Sequence, residues 1–246
     1  MSFATTPYGR VHYVEAGSGP TVLLLHQTPR SVDEYAEVLP LLKTQCRAIA
    51  IDTLGFGDSD APLKDPSIEL YARAAAAVLA QLGVSRAAVV GHHTGGVIAV
   101  ELAASRPELV DALVLSSTPY VDEQFRRDRA ERPLRVDTGD FRASRAEYYP
   151  PGRPDLLDRY VDDARRADDP VVGHRAVHRY RMEERLPLVR ARVLLIGATA
   201  DPFAYPHLER MREQLPSAQV VELAGGIPLP DERPQEFARA VSDFLA

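Results

Sequence analysis

The sequence lacks the residues that several classes of protein require. Its 246 residues include a single cysteine, Cys46, so an intrachain disulfide and a cysteine metal cluster are both excluded. No uncharged apolar run approaches the roughly 18–20 residues of a membrane-spanning helix. Residues 1–9 also lack the basic and then apolar pattern of a signal peptide. We therefore expect a soluble, cytoplasmic protein that has no membrane partner.

An excess of positive charge is absent too. The formal net charge is −6, and Asp and Glu interleave with the dense arginines between Arg126 and Arg192. Such a stretch is typical of a solvated surface of mixed charge, which argues against a nucleic-acid partner. A small molecule is the expected partner, and the sequence leaves a homodimer open.

What the chain does contain is short apolar runs that alternate with helical patterns. Most runs are continuous, as expected of strands covered on both faces. The predicted strands are residues 10–15, 21–26, 47–52, 87–92, 112–117, 193–197 and 219–223. Helices are predicted over residues 67–82, 95–105 and 235–245. This alternation predicts an α/β fold with a mainly parallel, doubly wound sheet.

One stretch departs from the alternation. Residues 119–190 contain no convincing strand but several charged, helix-prone pieces separated by prolines. A connecting loop in a compact domain is not this long. We predict a helical insertion that lies as a cap over the strand ends, on a core built from residues 1–118 and 191–246.

The segment GHHTGG, which begins at Gly91, lies between an apolar strand and a buried helix. A sharp strand-to-helix turn needs small residues two positions before and two after its central residue, and Gly91 and Gly95 fall there. The central residue is then His93, at the strand ends where open α/β sheets bind ligands. The Thr94 N–H, at the helix start, is expected to donate to an oxyanion. A shifted register with Thr94 as nucleophile would spoil the glycine spacing.

Five segments in this order resemble the α/β-hydrolase superfamily over nearly the whole chain outside residues 119–190. They are HQTP at 26–29, DTLGFGDS at 52–59, GHHTGG at 91–96, GATADP at 197–202 and GGIPLPDERP at 225–234. The second is a structural marker. The first resembles the HGxP turn of the family, which implies that the Gln27 N–H is one half of an oxyanion hole and the Thr94 N–H the other. The fourth implies that Asp201 is the acid of a catalytic triad.

Two residues of the family pattern are missing. His93 stands where the serine nucleophile is expected, and Ile227 occupies the position of the histidine base when Glu232 and Pro234 are aligned with the pattern. No histidine follows His207. Conventional serine hydrolysis, in which the base removes the proton of the serine, is therefore not expected.

The two replacements, His93 for the serine and Ile227 for the histidine, are complementary in size. His93 is longer than serine and could reach the space vacated at Ile227, where its imidazole would lie within about 3.2 Å of an Asp201 oxygen. A His–Asp pair beside two backbone N–H donors suits acid–base chemistry on a small carbonyl compound, of a hydrolase, lyase or isomerase type. The expected site needs neither a metal nor a cofactor. A ligand-binding pseudoenzyme, and a site that includes Asp231 or Glu232, remain open as alternatives.

Four further residues are candidates for substrate binding. They are His26, Ile227, His174 and His178. The last two are four positions apart and would share one face of a helix. That helix is either exposed and arginine-rich or lines the pocket, and the pair lacks the acidic neighbour of known zinc motifs. His92 is expected to pack beneath the elbow.

Overall fold

One eight-stranded sheet forms the centre of the protein. A computed structural model describes residues 1–62, 66–131 and 140–246, and the sheet lies within these ranges. The strands are β1 (Ser2–Thr6), β2 (Gly9–Ala16), β3 (Thr21–Leu25), β4 (Arg47–Ile51), β5 (Ala87–His92), β6 (Val110–Ser116), β7 (Arg192–Ala198) and β8 (Gln219–Leu223). Their order is β1-β2-β4-β3-β5-β6-β7-β8, and only the β1–β2 and β2–β4 pairs are antiparallel. The predicted fold class is confirmed.

The central strands are apolar throughout because helices cover both faces of the sheet. Along β3, Leu23 and Leu25 belong to one buried cluster, while Val22 and Leu24 belong to the cluster on the opposite face. All six residues of β5 are buried. The alternation of side chains along a strand therefore supplies both hydrophobic layers. The edge strand β1, with its short mixed sequence, was not among the predicted strands.

Helices flank the sheet. They are α1 (Leu39–Leu42), α2 (Ile68–Gln81), α3 (Thr94–Ser105), α4 (Glu123–Glu131), α5 (Phe141–Arg145), α6 (Pro154–Arg166), α7 (Val172–Arg179), α8 (Met182–Arg185), α9 (Leu208–Gln214), α10 (Leu229–Glu232) and α11 (Pro234–Leu245). Short 3-10 turns occur at Val32–Tyr35, Ala146–Tyr148, Leu186–Leu188 and Tyr205–His207. No helix in the described ranges has the length and apolarity for crossing a membrane.

Capping and the burial of apolar side chains explain why the three helices predicted from the sequence form. The Ser67 hydroxyl accepts from the Leu70 N–H at the start of α2, which satisfies one of the free donors of the first turn. Helix α3 is buried on all sides, and it packs against α2, β5 and β6. Helix α11 buries one apolar face that includes Phe237 and Phe244 on the opposite side of the sheet.

The described part of residues 119–190 consists of helices α4 to α8 and irregular chain, without a strand. Residues 132–139 lie outside the described residues. Helix α6 forms a hydrophobic cluster with Tyr149 that is separate from the two clusters at the sheet, whereas α7 packs into the main core. The helical content agrees with the predicted content, and the assignment of this segment as a separate cap stays a prediction.

The sheet has a topological switch between β3 and β5. From β3 the chain moves outward to β4, and it then returns to place β5 on the other side of β3. Crevices at the carboxyl ends of such strands are the usual ligand sites of open α/β sheets. The turn after β3 contains Gln27 and Thr28, and the turn after β5 contains His93 and Thr94.

A buried ion network joins residues 119–190 to the core. The Arg30 side chain, which is fully buried, donates from Nε to Asp163 on α6 at 2.8 Å and from Nη1 to Asp231 on α10 at 2.6 Å. The Ser31 hydroxyl also donates to Asp163, at 2.8 Å. Burial disfavours the guanidinium charge, but the neighbouring acids, Asp231 first, hold the pKa of Arg30 above its usual value. Since its members come from three distant segments, the network fixes α6 against the turn after β3 and links that turn to α10.

This network predicts a large difference between two aspartates of α6. Replacing Asp163 by Ala should lower the free energy of unfolding by about 3–5 kcal/mol, because the buried Nε of Arg30 would lose its partner, while Nη2 already has none among the described residues. Asp158→Ala is the matched control, since Asp158 is 56% exposed and pairs with Arg142 at the surface. It should change stability by less than about 1 kcal/mol. Urea unfolding at neutral pH measures both, and equal midpoints would contradict the role of the network.

Candidate active site

The turn between β5 and α3 is a strained strand-to-helix elbow. His93, at its centre, has φ 47° and ψ −113°, a backbone conformation that side chains other than glycine seldom adopt. A Cβ on Gly95 would lie 1.9 Å from the Leu25 carbonyl oxygen, and one on Gly91 would lie 2.3 Å from the Gly95 oxygen. The predicted need for glycine at both positions is therefore explained by backbone packing.

His93 and Asp201 form a hydrogen-bonded pair. The His93 Nε2 atom lies 2.7 Å from Asp201 Oδ2, inside the 3.2 Å limit expected from the sequence. Asp201 follows β7 and is 1% exposed, while the His93 side chain is 16% exposed. The pair spans 108 positions of the chain. The structure therefore brings together the two residues that the sequence singled out.

Asp201 is held as a carboxylate. Its Oδ1 accepts the N–H groups of Phe203 at 2.9 Å and Ala204 at 3.1 Å, so both oxygens have partners. Burial raises the pKa of such a group, but the charge of His93, the hydrogen bond to His93 and these two N–H groups outweigh it. Together they lower the pKa of Asp201 to about 2. Asp201 is therefore an acceptor at every pH near neutrality.

The tautomer of neutral His93 follows from this contact. A carboxylate accepts but does not donate, so Nε2 carries the hydrogen and the lone pair lies on Nδ1. Among the described residues no group is hydrogen-bonded to that Nδ1, and His93 lines the cavity above the strand ends. The arrangement reverses the use of the two ring nitrogens in a Ser-His-Asp triad, where Nδ1 faces the acid. Nδ1 can act as a base.

The expected oxyanion role of Gln27 is corrected by the structure. Its N–H donates to Glu34 Oε2 at 2.8 Å, and its side chain donates to Glu34 Oε1 at 2.7 Å. The Gln27 N–H is thus occupied. Its neighbour Thr28 lines the cavity, and no acceptor in the described ranges takes the N–H of Thr28 or of Thr94.

Thr28 and Thr94 are held side by side. Their hydroxyl oxygens are 3.0 Å apart, which ties the turn after β3 to the first residue of α3. Helix α7 rests directly on this turn, since a Cβ on Gly173 would meet the Thr28 hydroxyl at 2.3 Å. The Thr94 N–H also lies at the positive end of the α3 dipole. Thr28 is a candidate residue that sequence reasoning missed, although its HQTP turn was identified.

His26 is a structural residue, which overturns its assignment to substrate binding. Its side chain is fully buried, Nδ1 lies 2.7 Å from the Gln27 carbonyl oxygen, and Nε2 accepts the Thr53 N–H at 2.9 Å. Burial lowers the pKa of His26, so the ring is neutral. With both nitrogens engaged, His26 has nothing to offer a ligand and instead joins the turn after β3 to the turn after β4.

His92 packs beneath the elbow, as expected. Its Nε2 lies 2.8 Å from the Ile227 carbonyl oxygen, and its Nδ1 lies 2.9 Å from the Ser116 hydroxyl. Burial, with the charge of His93, lowers the pKa of His92 to about 3. The neutral ring therefore anchors the loop of Ile227, whose side chain lines the cavity beside His93.

The alternative that placed Asp231 or Glu232 at His93 is not supported. Asp231 pairs with Arg30 and, at 3.2 Å, with Arg159. Glu232 accepts the Gly226 N–H at 2.8 Å. Within the described ranges, Asp201 is the acid hydrogen-bonded to His93.

The cavity at His93 has a volume of about 90 Å³, room for a small molecule. Its other walls come largely from residues 119–190. The lining residues are Gln27, Thr28, His93, Thr94, Pro119, Phe125, Arg129, Arg145, Tyr149, Tyr160, His174, Val177, His178, Phe203 and Ile227. Helix α7 thus turns both of its histidines to the pocket and is not simply an exposed, arginine-rich helix. Arg129 and Arg145 were missed because their stretch resembles a solvated surface.

Comparison with known proteins agrees with this fold. Residues 20–226 match the model of the family described as alpha/beta hydrolase fold. The match covers more than half of the chain. The protein therefore belongs to the α/β-hydrolase fold family.

Curated relatives match part of the chain. Bifunctional epoxide hydrolase 2 of Sus scrofa is 36% identical over 118 residues, which are 47% of this chain and 21% of that protein. The soluble epoxide hydrolase of Corynebacterium sp. strain C12 is 37% identical over 106 residues, 43% of this chain and 37% of that protein. The matched region thus spans less than half the length of either relative.

Solved structures match over the whole length. The enol-lactonase from Burkholderia xenovorans LB400 superimposes with a TM-score of 0.85 at 21% identity, covering 99% of both chains. A hydrolase from Pseudomonas aeruginosa PA01 gives a TM-score of 0.86 at 22% identity, covering 100% of this chain and 98% of that one. At these identities the likeness shows the shared fold.

The strained elbow predicts an order of stability for two variants. His93→Gly should be more stable than His93→Ala by about 1–2 kcal/mol, because only glycine adopts the observed φ and ψ without strain. Both variants lose the contact with Asp201, so their difference isolates the backbone. Urea unfolding of the two proteins measures it. An alanine variant as stable as the glycine variant would show that position 93 is unstrained.

Proposed function

We propose that this protein is an enzyme that acts on the carbonyl group of a small molecule by acid–base chemistry, with His93 as the base. The observation that carries the proposal is the 2.7 Å contact between His93 Nε2 and Asp201, which directs the lone pair of Nδ1 away from the acid. The relatives named as epoxide hydrolases and the structure named as an enol-lactonase favour hydrolysis among the reactions open to such a base. We therefore propose hydrolysis of a small ester or lactone.

In the proposed mechanism a water molecule is the nucleophile. Nδ1 of His93 takes one proton from this water as its oxygen attacks the carbonyl carbon, while Asp201 stabilises the imidazolium that forms. The carbonyl oxygen becomes negatively charged, and the N–H groups of Thr94 and Thr28 donate to it. When the tetrahedral intermediate collapses, the imidazolium returns the proton to the leaving alkoxide. The products are a carboxylic acid and an alcohol, and no covalent enzyme intermediate forms.

Two observations support an oxyanion role for the N–H groups of Thr94 and Thr28: the position of the two residues and the lack of an acceptor for either N–H among the described residues. Each lines the cavity beside His93, and each N–H lacks an acceptor within the described part of the chain. The link between their hydroxyl groups at 3.0 Å keeps the two turns in register. Donors that are held in place before the reaction stabilise a developing charge without reorganisation.

The experiment compares hydrolysis of a panel of small methyl esters and lactones by wild type, His93→Ala, Asp201→Asn and the double variant, with products followed by NMR. Each single change should lower kcat/KM by about 10²–10⁴-fold, because general base catalysis is lost. The double variant should be no slower than the slower single variant, because the two residues act as one unit. Asp158→Asn, a surface change on α6, is the control that should keep wild-type activity.

Two results would overturn the proposal. One is a folded His93→Ala variant with full activity, folding being checked by its unfolding midpoint. The other is tight binding by the wild type of a carbonyl compound that is recovered unchanged, with His93 tolerant of substitution. The second result is what a ligand-binding pseudoenzyme would give.

A further inference from the structure

The charges around the cavity are unbalanced. Its described lining residues include two arginines, Arg129 on α4 and Arg145 on α5, but no aspartate or glutamate. Most of the other arginines of residues 119–190 are in ion pairs, such as Arg126 with Glu183. The two cavity arginines are exceptions within the described ranges, since neither has a carboxylate partner there.

Among the described residues, the contacts that Arg129 and Arg145 make leave some of their hydrogen-bond donors without an acceptor. The Arg129 guanidinium lies over the Phe125 ring, 5.3 Å from its centroid. Arg145 donates from Nε to the Tyr160 hydroxyl at 3.2 Å and lies 6.0 Å from the centroid of that ring. Contacts with aromatic rings hold a guanidinium in place without neutralising it. Both side chains are therefore oriented cations that are not paired with a carboxylate in the described part of the chain.

The apolar walls make an unpaired positive charge costly. Phe125, Val177, Phe203 and Ile227 line the same space, and an unpaired charge near such surfaces loses hydration. Burial accordingly lowers the pKa of Arg129, against the opposing charge of Asp128. An anion bound in the cavity would remove this cost.

A third group in the cavity lacks a partner. The Nδ1 atom of His174 is shielded from solvent and has no hydrogen-bond partner among the described residues. Burial lowers the pKa of His174 to about 3, and the charges of Arg145, His178, His93 and Arg129 act in the same direction. His174 is therefore neutral, and its Nδ1, which has no partner in the described part of the chain, is a third polar group at the cavity.

We propose that the substrate carries a carboxylate, bound by Arg129 and Arg145, while its reacting carbonyl lies at His93. The arginine fork matches the geometry of a carboxylate, and apolar walls between the two ends suit a short aliphatic chain. The substrate class is thus a small monoester of a dicarboxylic acid, or a lactone of a hydroxydicarboxylic acid, with one free acid group. This inference rests on the proposed function for the reaction, while the anion site itself is independent of turnover.

Two assays separate the anion site from the chemistry. The first is calorimetric binding of glutarate and, separately, of inorganic phosphate. The second is hydrolysis of monomethyl glutarate, an anion, against dimethyl glutarate, its neutral counterpart. The test protein carries Arg129→Gln and Arg145→Gln. The matched control carries Arg127→Gln and Arg142→Gln, which lie on the same two helices but are exposed and paired with Glu123 and Asp158.

Wild type and the control variant should bind glutarate at least about tenfold more tightly than the test variant, because a desolvated ion pair is lost. They should also prefer the monoester, and the test variant should lose that preference. Equal binding of glutarate by all three proteins would overturn the proposal. Phosphate binding that depends on the two arginines, without glutarate binding, would also overturn it in favour of a phosphorylated ligand.

Failure of the reaction has a different signature. If the wild type hydrolyses neither ester but binds glutarate through the two arginines, the anion site stands and hydrolysis of this ester class is rejected. Should the double Gln variant be unfolded, the single variants and the Arg129→Lys, Arg145→Lys pair replace it. The lysine pair keeps both charges, so it should bind glutarate more tightly than either folded Gln variant. Equal binding by the lysine pair and a Gln variant would contradict a charge-based site.

Discussion

The close approach of α3 to the end of β3 is the constraint on which the site depends. A methyl group at Gly95 would lie 1.9 Å from the Leu25 carbonyl oxygen, so the first turn of the helix is in contact with the neighbouring strand. This contact forces the sharp turn between β5 and α3 and gives His93 its positive φ. The turn in turn directs the imidazole away from the sheet and leaves the Thr94 N–H at the helix start. The location and backbone conformation of residue 93 are therefore set by backbone packing and not by its side chain.

The hydrogen bond to Asp201 then decides which chemistry the imidazole can perform. With serine at this position, a separate histidine has to supply the base. Here one side chain lies at the elbow and also contacts the acid, so Ile227 can take the place of the missing base and close the cavity with apolar surface. Because Nε2 contacts Asp201, the lone pair of neutral His93 lies on Nδ1, which is the base in the proposed mechanism. A two-residue His–Asp site of this kind offers a base but no side-chain nucleophile. Water is therefore the nucleophile in the proposed mechanism.

The sequence was informative where structure is determined locally. Continuous apolar runs identified the buried strands, and the glycine spacing around His93 identified the elbow. The assignment of the Gln27 N–H to the oxyanion hole was wrong because this N–H donates to Glu34, seven residues away. The HQTP motif alone does not predict that hydrogen bond. The assignment of His26 to substrate binding was wrong because its Nε2 accepts the N–H of Thr53, a residue in the turn after β4. Arg129 and Arg145 look like their neighbours in sequence, since only the folded chain determines which arginines find an acid and which do not.

The distribution of buried charge explains why the described lining of the cavity contains arginine but no carboxylate. The Arg30 network holds Asp163 and Asp231 away from the cavity, although Asp231 is close in sequence to Ile227. Asp201 is consequently the acid available to His93, and its depressed pKa keeps it ionised. A carboxylate side chain in the cavity lining would neutralise Arg129 or Arg145 and weaken the binding of an anionic substrate by competing for the arginine. The fold that fixes α6 with buried acids therefore leaves no carboxylate among the described lining residues of the cavity, and the positive charge of Arg129 and Arg145 is the basis for proposing a substrate that brings its own carboxylate.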